Sequence, residues 1–151
     1  MIQLSADVAA QLHSYLLQMI SIDNSQMGNI QVYDPLKQEL RIIAQQGFNE
    51  DFLQYFKVVK AFDTSACGRA IGKGGVVLID DVTTDRGFEP HRAIAASAGF
   101  RSVKSVPIIS EDGKYLGVIS THFRKPHHAS ISNNAAKLIA ELAKLIELTE
   151  V

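Results

Sequence analysis

The apolar positions of this chain change period several times, and each change marks an element. After Ser5, the residues Val8, Leu12, Tyr15, Leu16, Met19 and Ile20 recur at helical spacing, which predicts a helix with one apolar stripe. Ser5 is a good cap for it, and Asp7 in its first turn favours the positive end of the helix dipole. The pattern breaks in "DNSQMGN". Two strands follow, Asn29 to Tyr33 and Glu39 to Gln45, with Asp34 and Pro35 of "DPLKQ" suited to the turn between them. Ile30 and Val32 alternate with Gln31 and Tyr33, so the first strand is expected to have one face drier than the other.

"NEDFLQYFKVV" predicts a short helix capped by Asn49, with Phe52, Leu53 and Phe56 on one side. The apolar run "VVLID" (76–80) predicts a strand buried on both faces, and residues 88–98 a helix stopped by Gly99. "GFRSVKSVPIIS" (99–110) and "YLGVISTHF" (115–123) are β-type runs on either side of Asp112-Gly113, a strong hairpin signal. A last helix is expected from about Ser132 to the end. Ile131, Ala135, Leu138, Leu142 and Leu145 form one seam on it, and Ile139 and Ile146 a second. The order α-β-β-α-β-α-β-β-α predicts an α+β fold with helices at both ends of the chain.

Composition narrows the class. A length of 151 residues with 46% hydrophobic content is expected to form one domain, residues 1–151, with a real core. A net charge of −1 supplies no field for nucleic acid or an anionic membrane, and no apolar run approaches a membrane span. The first residues lack the basic cluster and cleavage site of a secretory signal. The single cysteine, Cys67, excludes an intramolecular disulfide and multi-cysteine metal clusters and suits a reducing, cytoplasmic setting.

The two hairpin strands raise a chemical question. Period 2 puts Ser120 and His122 on one face of their strand, and Val103 and Ser105 on one face of theirs. A sheet face that should be dry thus carries polar groups without an evident local partner. Either a ligand meets them or they satisfy one another inside the sheet.

Four stretches, "GNIQVYDPLKQELRIIAQQGF", "SACGRAIGKGGVVLIDDVTTD", "FEPHRAIAASAGFRSVKSVPI" and "GKYLGVISTHFRKPH", together resemble the GAF domain family in the family's order. The variety resembled is the one found with histidine kinase cores in bacterial two-component sensors. That resemblance implies a central antiparallel sheet with the terminal helices on one face and a ligand pocket under helices and loops on the other. In the phytochrome branch a chromophore-contacting histidine stands eight residues before a glycine, as His91 stands before Gly99. A second pocket histidine lies five residues after a glycine of the last strand, as His122 lies after Gly117, and Ser105 falls where that branch has a chromophore-contacting serine. The expected ligand-binding set is therefore His91, Ser105, Ser120 and His122, with Cys67 and Arg69 of "SACGRA" as further candidates.

The departures from the family matter as well. Pro90 stands where a bilin-attaching cysteine often precedes the histidine, and the pyrrole-holding Asp-Ile-Pro stretch has no counterpart, so no covalent bilin is expected. The signature of cyclic-nucleotide-binding members is absent. The family's enzymes, free methionine sulfoxide reductases, use several cysteines, and one cysteine cannot both attack a sulfoxide and resolve the product. No phosphate loop, serine elbow or metal-ligand set is visible, and "RKPHH" (124–128) lacks the carboxylate or cysteine that would complete a metal site.

The expectation is a non-enzymatic sensory domain. It would bind a small molecule of unknown identity, signal through its terminal helices, form a homodimer through them, and serve a kinase or other effector. The cofactor is open. Two alternatives stand beside it: a GAF module that only dimerises, and a methionine sulfoxide reductase using Cys67.

Overall fold

The computed structural model of the chain describes residues 4–61, 63–127 and 135–149. Helix α1 (Ala6–Asp23) opens the fold, and Ser5 caps it by accepting from the backbone N–H of Val8 at 3.2 Å. Next come β1 (Met27–Asp34), β2 (Glu39–Gln46), α2 (Glu50–Tyr55), β3 (Val58–Lys60), α3 (Ala66–Lys73) and β4 (Val77–Ile79). A 3-10 turn over Arg86–His91 leads into α4 (Arg92–Ala98), followed by β5 (Ser102–Ile109), β6 (Tyr115–Phe123) and α5 (Ala136–Leu148).

The strands form one six-stranded antiparallel sheet in the order β3-β2-β1-β6-β5-β4. The β5–β6 hairpin turns at Gly113, whose φ of +84° suits glycine. At Gly117 a side chain would collide with the Gln31 carbonyl, so this glycine lets β6 lie close against β1.

The sheet separates two cores. On one face Leu12, Leu16 and Met19 of α1 and Leu138, Leu142 and Ile146 of α5 pack on Ile30, Val32, Ile108 and Ile119. On the other, α2, α3, α4 and their loops bring Phe52, Phe56, Ile71, Phe88 and Phe100 against Met27, Leu40, Val103 and Val118. The expected α+β architecture, with the terminal helices together on one face, is what the chain forms. Both predicted seams of the last helix serve this inner packing: Ile146 is buried, and Ile139 and Leu145 pack against the same core. On the first helix, Leu16 is buried in this core while its neighbour Leu17 is 43% exposed. Ile131 and the expected helix start at Ser132 lie outside the described residues.

Three expectations change. Strand β3 and helix α3 were not foreseen, because one is three residues long and the other, "ACGRAIGK", is poor in large apolar side chains. The "VVLID" strand is an edge strand, with Leu78 38% exposed between buried Val77 and Ile79. The expected helix over 88–98 begins as a tighter turn at Pro90, which has no N–H for a helical bond. Among the described residues no helix is long and apolar enough to cross a membrane.

A buried ion pair ties the helical layer to the middle of the sheet. Lys104 Nζ of β5 meets Asp23 Oδ1, at the end of α1, at 2.6 Å, with both side chains 2% exposed. Thr121 of β6 donates to the other oxygen of Asp23 at 2.8 Å.

Candidate functional site

The register of the central strands assembles a polar row on the face opposite the terminal helices. Asn29 of β1 lies across from Ser120 of β6, which lies across from Ser105 of β5. The two serine hydroxyls bond to each other at 2.6 Å. His122 stands one step along this face, opposite Met27 and Val103, while Gln31 stands on the other side, opposite Val118. A cavity lies over these residues. Phe52 of α2, Phe56 just after it, Ser65, Ala66 and Cys67 at the capped start of α3, Phe88 and Phe100 close it. The cavity holds about 20 Å³, room for little beyond a water molecule.

The wall of the cavity is under-satisfied. Asn29 Oδ1, both amide atoms of Gln31, and His122 Nδ1 are buried without a well-formed hydrogen bond, and among the described residues the one polar group that the Gln31 amide acts on is the Cys67 thiol, a weak partner that it steadies as a thiolate. All three side chains are at least nine-tenths buried, and all three line the cavity. Leaving a buried polar atom unpaired costs about 1–3 kcal/mol, so this small wall carries an unusual concentration of unmet polar groups.

Rings surround His122. Phe48, Phe52 and Phe100 meet it edge-on, with centroids 4.8, 5.8 and 4.6 Å away. Removal from water disfavours the imidazolium and pushes the His122 pKa down to about 3, so the ring is neutral at physiological pH. Cys67 presents a protonated thiol, because burial pushes its pKa up and the Ser65 hydroxyl at 3.3 Å opposes that only in part.

Four of the expected site residues, Ser105, Ser120, His122 and Cys67, thus share one cavity wall. His91 and Arg69 do not join them; both hold the roof. The Tyr55 hydroxyl donates to the Pro90 carbonyl at 3.0 Å and so accepts from His91 Nδ1 at 2.8 Å, leaving Nε2 to accept from the Thr64 hydroxyl at 3.1 Å. With both nitrogens used, the ring is a strut between α2, the loop before α3 and the 3-10 turn. Burial holds its pKa below the usual histidine range. Arg69 donates to the Thr64 carbonyl at 2.8 Å and grips Asp85 through both terminal nitrogens, at 3.2 and 2.6 Å. Asp85 in turn caps the 3-10 turn at the Phe88 N–H.

Asn29 and Gln31 were not foreseen as site residues. Their alternation with Ile30 and Val32 suggested a wetter face, yet they are 3% and 1% exposed beneath the aromatic roof. The signal was their parity, which places them on the face that the hairpin register joins to Ser120. Among the described residues no group of three or more His, Cys, Asp or Glu is placed to hold a metal ion.

The family model of the GAF domain matches residues 5–149. No curated protein matches the chain. Several solved structures share the fold. A GAF domain of an Acinetobacter phosphoenolpyruvate-protein phosphotransferase is 16% identical, over 97% of this chain and 85% of that one, with a TM-score of 0.74. A domain of a Sinorhizobium meliloti protein described as a two-component sensor histidine kinase is 14% identical, over 97% and 95%, with a TM-score of 0.72. The free methionine-R-sulfoxide reductase from Neisseria meningitidis, solved with its substrate, is 23% identical, over 96% and 78%, with a TM-score of 0.66. This last likeness corrects the expectation of a non-enzyme: an enzyme is among the proteins that share the fold over nearly the whole chain, so the fold does not mark the chain as non-catalytic.

Proposed function

The chain belongs to the GAF domain family, a fold that supports a sensory or regulatory role, and from that premise we propose that it receives a small molecule in the cavity beside His122 and passes the signal on through its terminal helices. The observation that carries this reading is the set of under-satisfied polar atoms on Asn29, Gln31 and His122, gathered on one enclosed wall. A ligand supplies the missing partners. Its binding favours the arrangement of β5 and β6 that fits it, and shifts the population by the difference in affinity between two arrangements.

The route outward is short. Lys104 sits between Val103 and Ser105 in β5, and Thr121 between Ser120 and His122 in β6. Alternation turns these neighbours through the sheet, where both hold Asp23 at the end of α1. A displacement of either strand by a ligand therefore pulls on a buried, directional ion pair. The setting we propose is a signal-transduction protein of the two-component type.

Native mass spectrometry of the protein purified from its own host tests the reading. A mass excess lost on denaturation, and absent from a Ser120→Phe variant whose cavity is filled, is the expected result. A wild-type mass equal to the bare chain, with no metabolite raising its melting temperature, overturns it.

A second reading, reduction of a sulfoxide at Cys67, is favoured by the place of that residue on the cavity wall. The thiol would take the sulfoxide oxygen to become a sulfenic acid as the thioether leaves. Two equivalents of an external thiol would then restore it, releasing water and a disulfide. Thiol-dependent turnover of free methionine sulfoxide, lost in Cys67→Ser, is its test.

A further inference from the structure

Resting on the reading of the cavity as a ligand site, we infer that its occupant is an uncharged molecule presenting a hydrogen-bond donor and acceptor side by side, the edge of a carboxamide, lactam or ureido group. The lining contains no aspartate, glutamate, lysine or arginine. His122 is neutral within its cage of phenylalanines, and Cys67 is a protonated thiol. A carboxylate or phosphate entering here would leave water without meeting an opposite charge, with the Asp63 carboxylate behind Ser65 and Cys67 opposing it further, and an ammonium would find that carboxylate already bonded to Ser65. A free amino acid would bring two such groups.

What the wall offers is amide-like. Gln31 presents a donor, Nε2, and an acceptor, Oε1, on one planar group, with no partner stronger than the Cys67 thiol. The complement of a carboxamide edge is another such edge turned head to tail, which satisfies both atoms at once. Asn29 Oδ1 supplies a further acceptor and His122 Nδ1 a further polar contact on the same wall. Phe52, Phe56, Phe88 and Phe100 line the rest, a surface suited to the flat apolar body of a ring.

The closed cavity holds little more than a water, so such a molecule enters by displacing part of the roof. Helix α2 and the residue that ends it, Phe56, form an aromatic part of that roof. The helix is six residues long, and Phe52 within it and Phe56 just after it both line the cavity. Polar bonds from its ends hold it to the neighbouring layer: the Asn49 side chain donates to the Ser97 carbonyl, and Tyr55 bonds to Pro90 and His91.

The test uses 2-pyridone, a neutral lactam, beside benzoate, an anion of similar shape, and free methionine sulfoxide, a zwitterion. Binding is read from the side-chain carboxamide signals of Asn29 and Gln31 in nitrogen–proton NMR spectra and from the melting temperature. The expected result is saturable movement of those signals by 2-pyridone, with benzoate and the zwitterion weaker on the order of tenfold or more, the scale of one unmet polar group. Gln31→Leu should remove the preference for the lactam while the protein stays folded. Should that variant unfold, the comparison of probes on the wild-type protein decides alone. Equal or tighter binding of benzoate or the zwitterion, or a lactam preference that survives Gln31→Leu, overturns the inference while leaving the cavity a ligand site. Cavity signals that respond to no probe overturn both.

Discussion

Lowering the pH from 7 to 5 should destabilise this protein progressively, and His122 should account for most of the loss. Its ring is enclosed by Phe48, Phe52 and Phe100, and its folded pKa lies at about 3. In the unfolded chain a histidine titrates near 6.5. Between those values the unfolded state binds a proton that the folded state refuses, so stability falls as the pH drops through the unfolded pKa. The slope tends to about 1.4 kcal/mol per pH unit, and the loss between pH 7 and 5 comes to about 2 kcal/mol. His91, also held low by burial, acts in the same direction, so the wild-type curve alone does not isolate the effect. His122→Leu does. Leucine has a similar volume, suits the phenylalanine surroundings and carries no titrating group. Urea unfolding at pH 7 and pH 5 should show the wild type losing about 2 kcal/mol more than the variant across that interval. Carboxylates titrate lower and contribute little in this window. Equal losses in the two proteins would refute the reasoning, and would mean that His122 meets water or a partner in the folded state.

Other outcomes follow from the same packing. Gln31→Leu removes two under-satisfied buried atoms and should leave the ligand-free protein as stable or more stable by about 1 kcal/mol in urea unfolding, whereas a loss beyond that would reveal a stronger partner for the carboxamide. Lys104→Met strands the Asp23 carboxylate in the core and should cost about 3–5 kcal/mol, most of it regained in Lys104→Met/Asp23→Leu; equal instability of the two variants would argue against charge burial as the cause. Cys67, buried and with its pKa raised, should react with a thiol reagent at neutral pH far more slowly in the native protein than in urea, and comparable rates would contradict its placement.

The elements that rest on local chemistry were legible in the sequence. Ser5 and Asn49 cap their helices as their positions suggested, and Asp112-Gly113 turns the hairpin. Parity within each strand, the hairpin at Asp112-Gly113 and the family resemblance together were enough to expect Ser105, Ser120 and His122 on one wall. What depended on contacts between distant residues was not legible. Gln31 resembles an outward-facing polar residue until β6 and the aromatic roof cover it, and no local pattern records that cover. His91 matched a spacing, but its environment depends on Tyr55 and Thr64, residues remote in the chain that use both of its nitrogens. Helix α3 has weak propensity and two internal glycines; burial of Ala66, Cys67, Ala70 and Ile71 holds it, with Ser65 as its cap.

The central claim is that a small molecule completes the polar wall beside His122. Electron density of crystals grown from protein purified from its own host, at a resolution that separates water from an organic group, tests it most directly. The account predicts continuous non-protein density over β1 and β6, within hydrogen-bonding distance of Gln31 and Asn29, with part of the roof moved outward to make room. A cavity of unchanged size holding only a water, in crystals where added metabolites also leave no density, would contradict it.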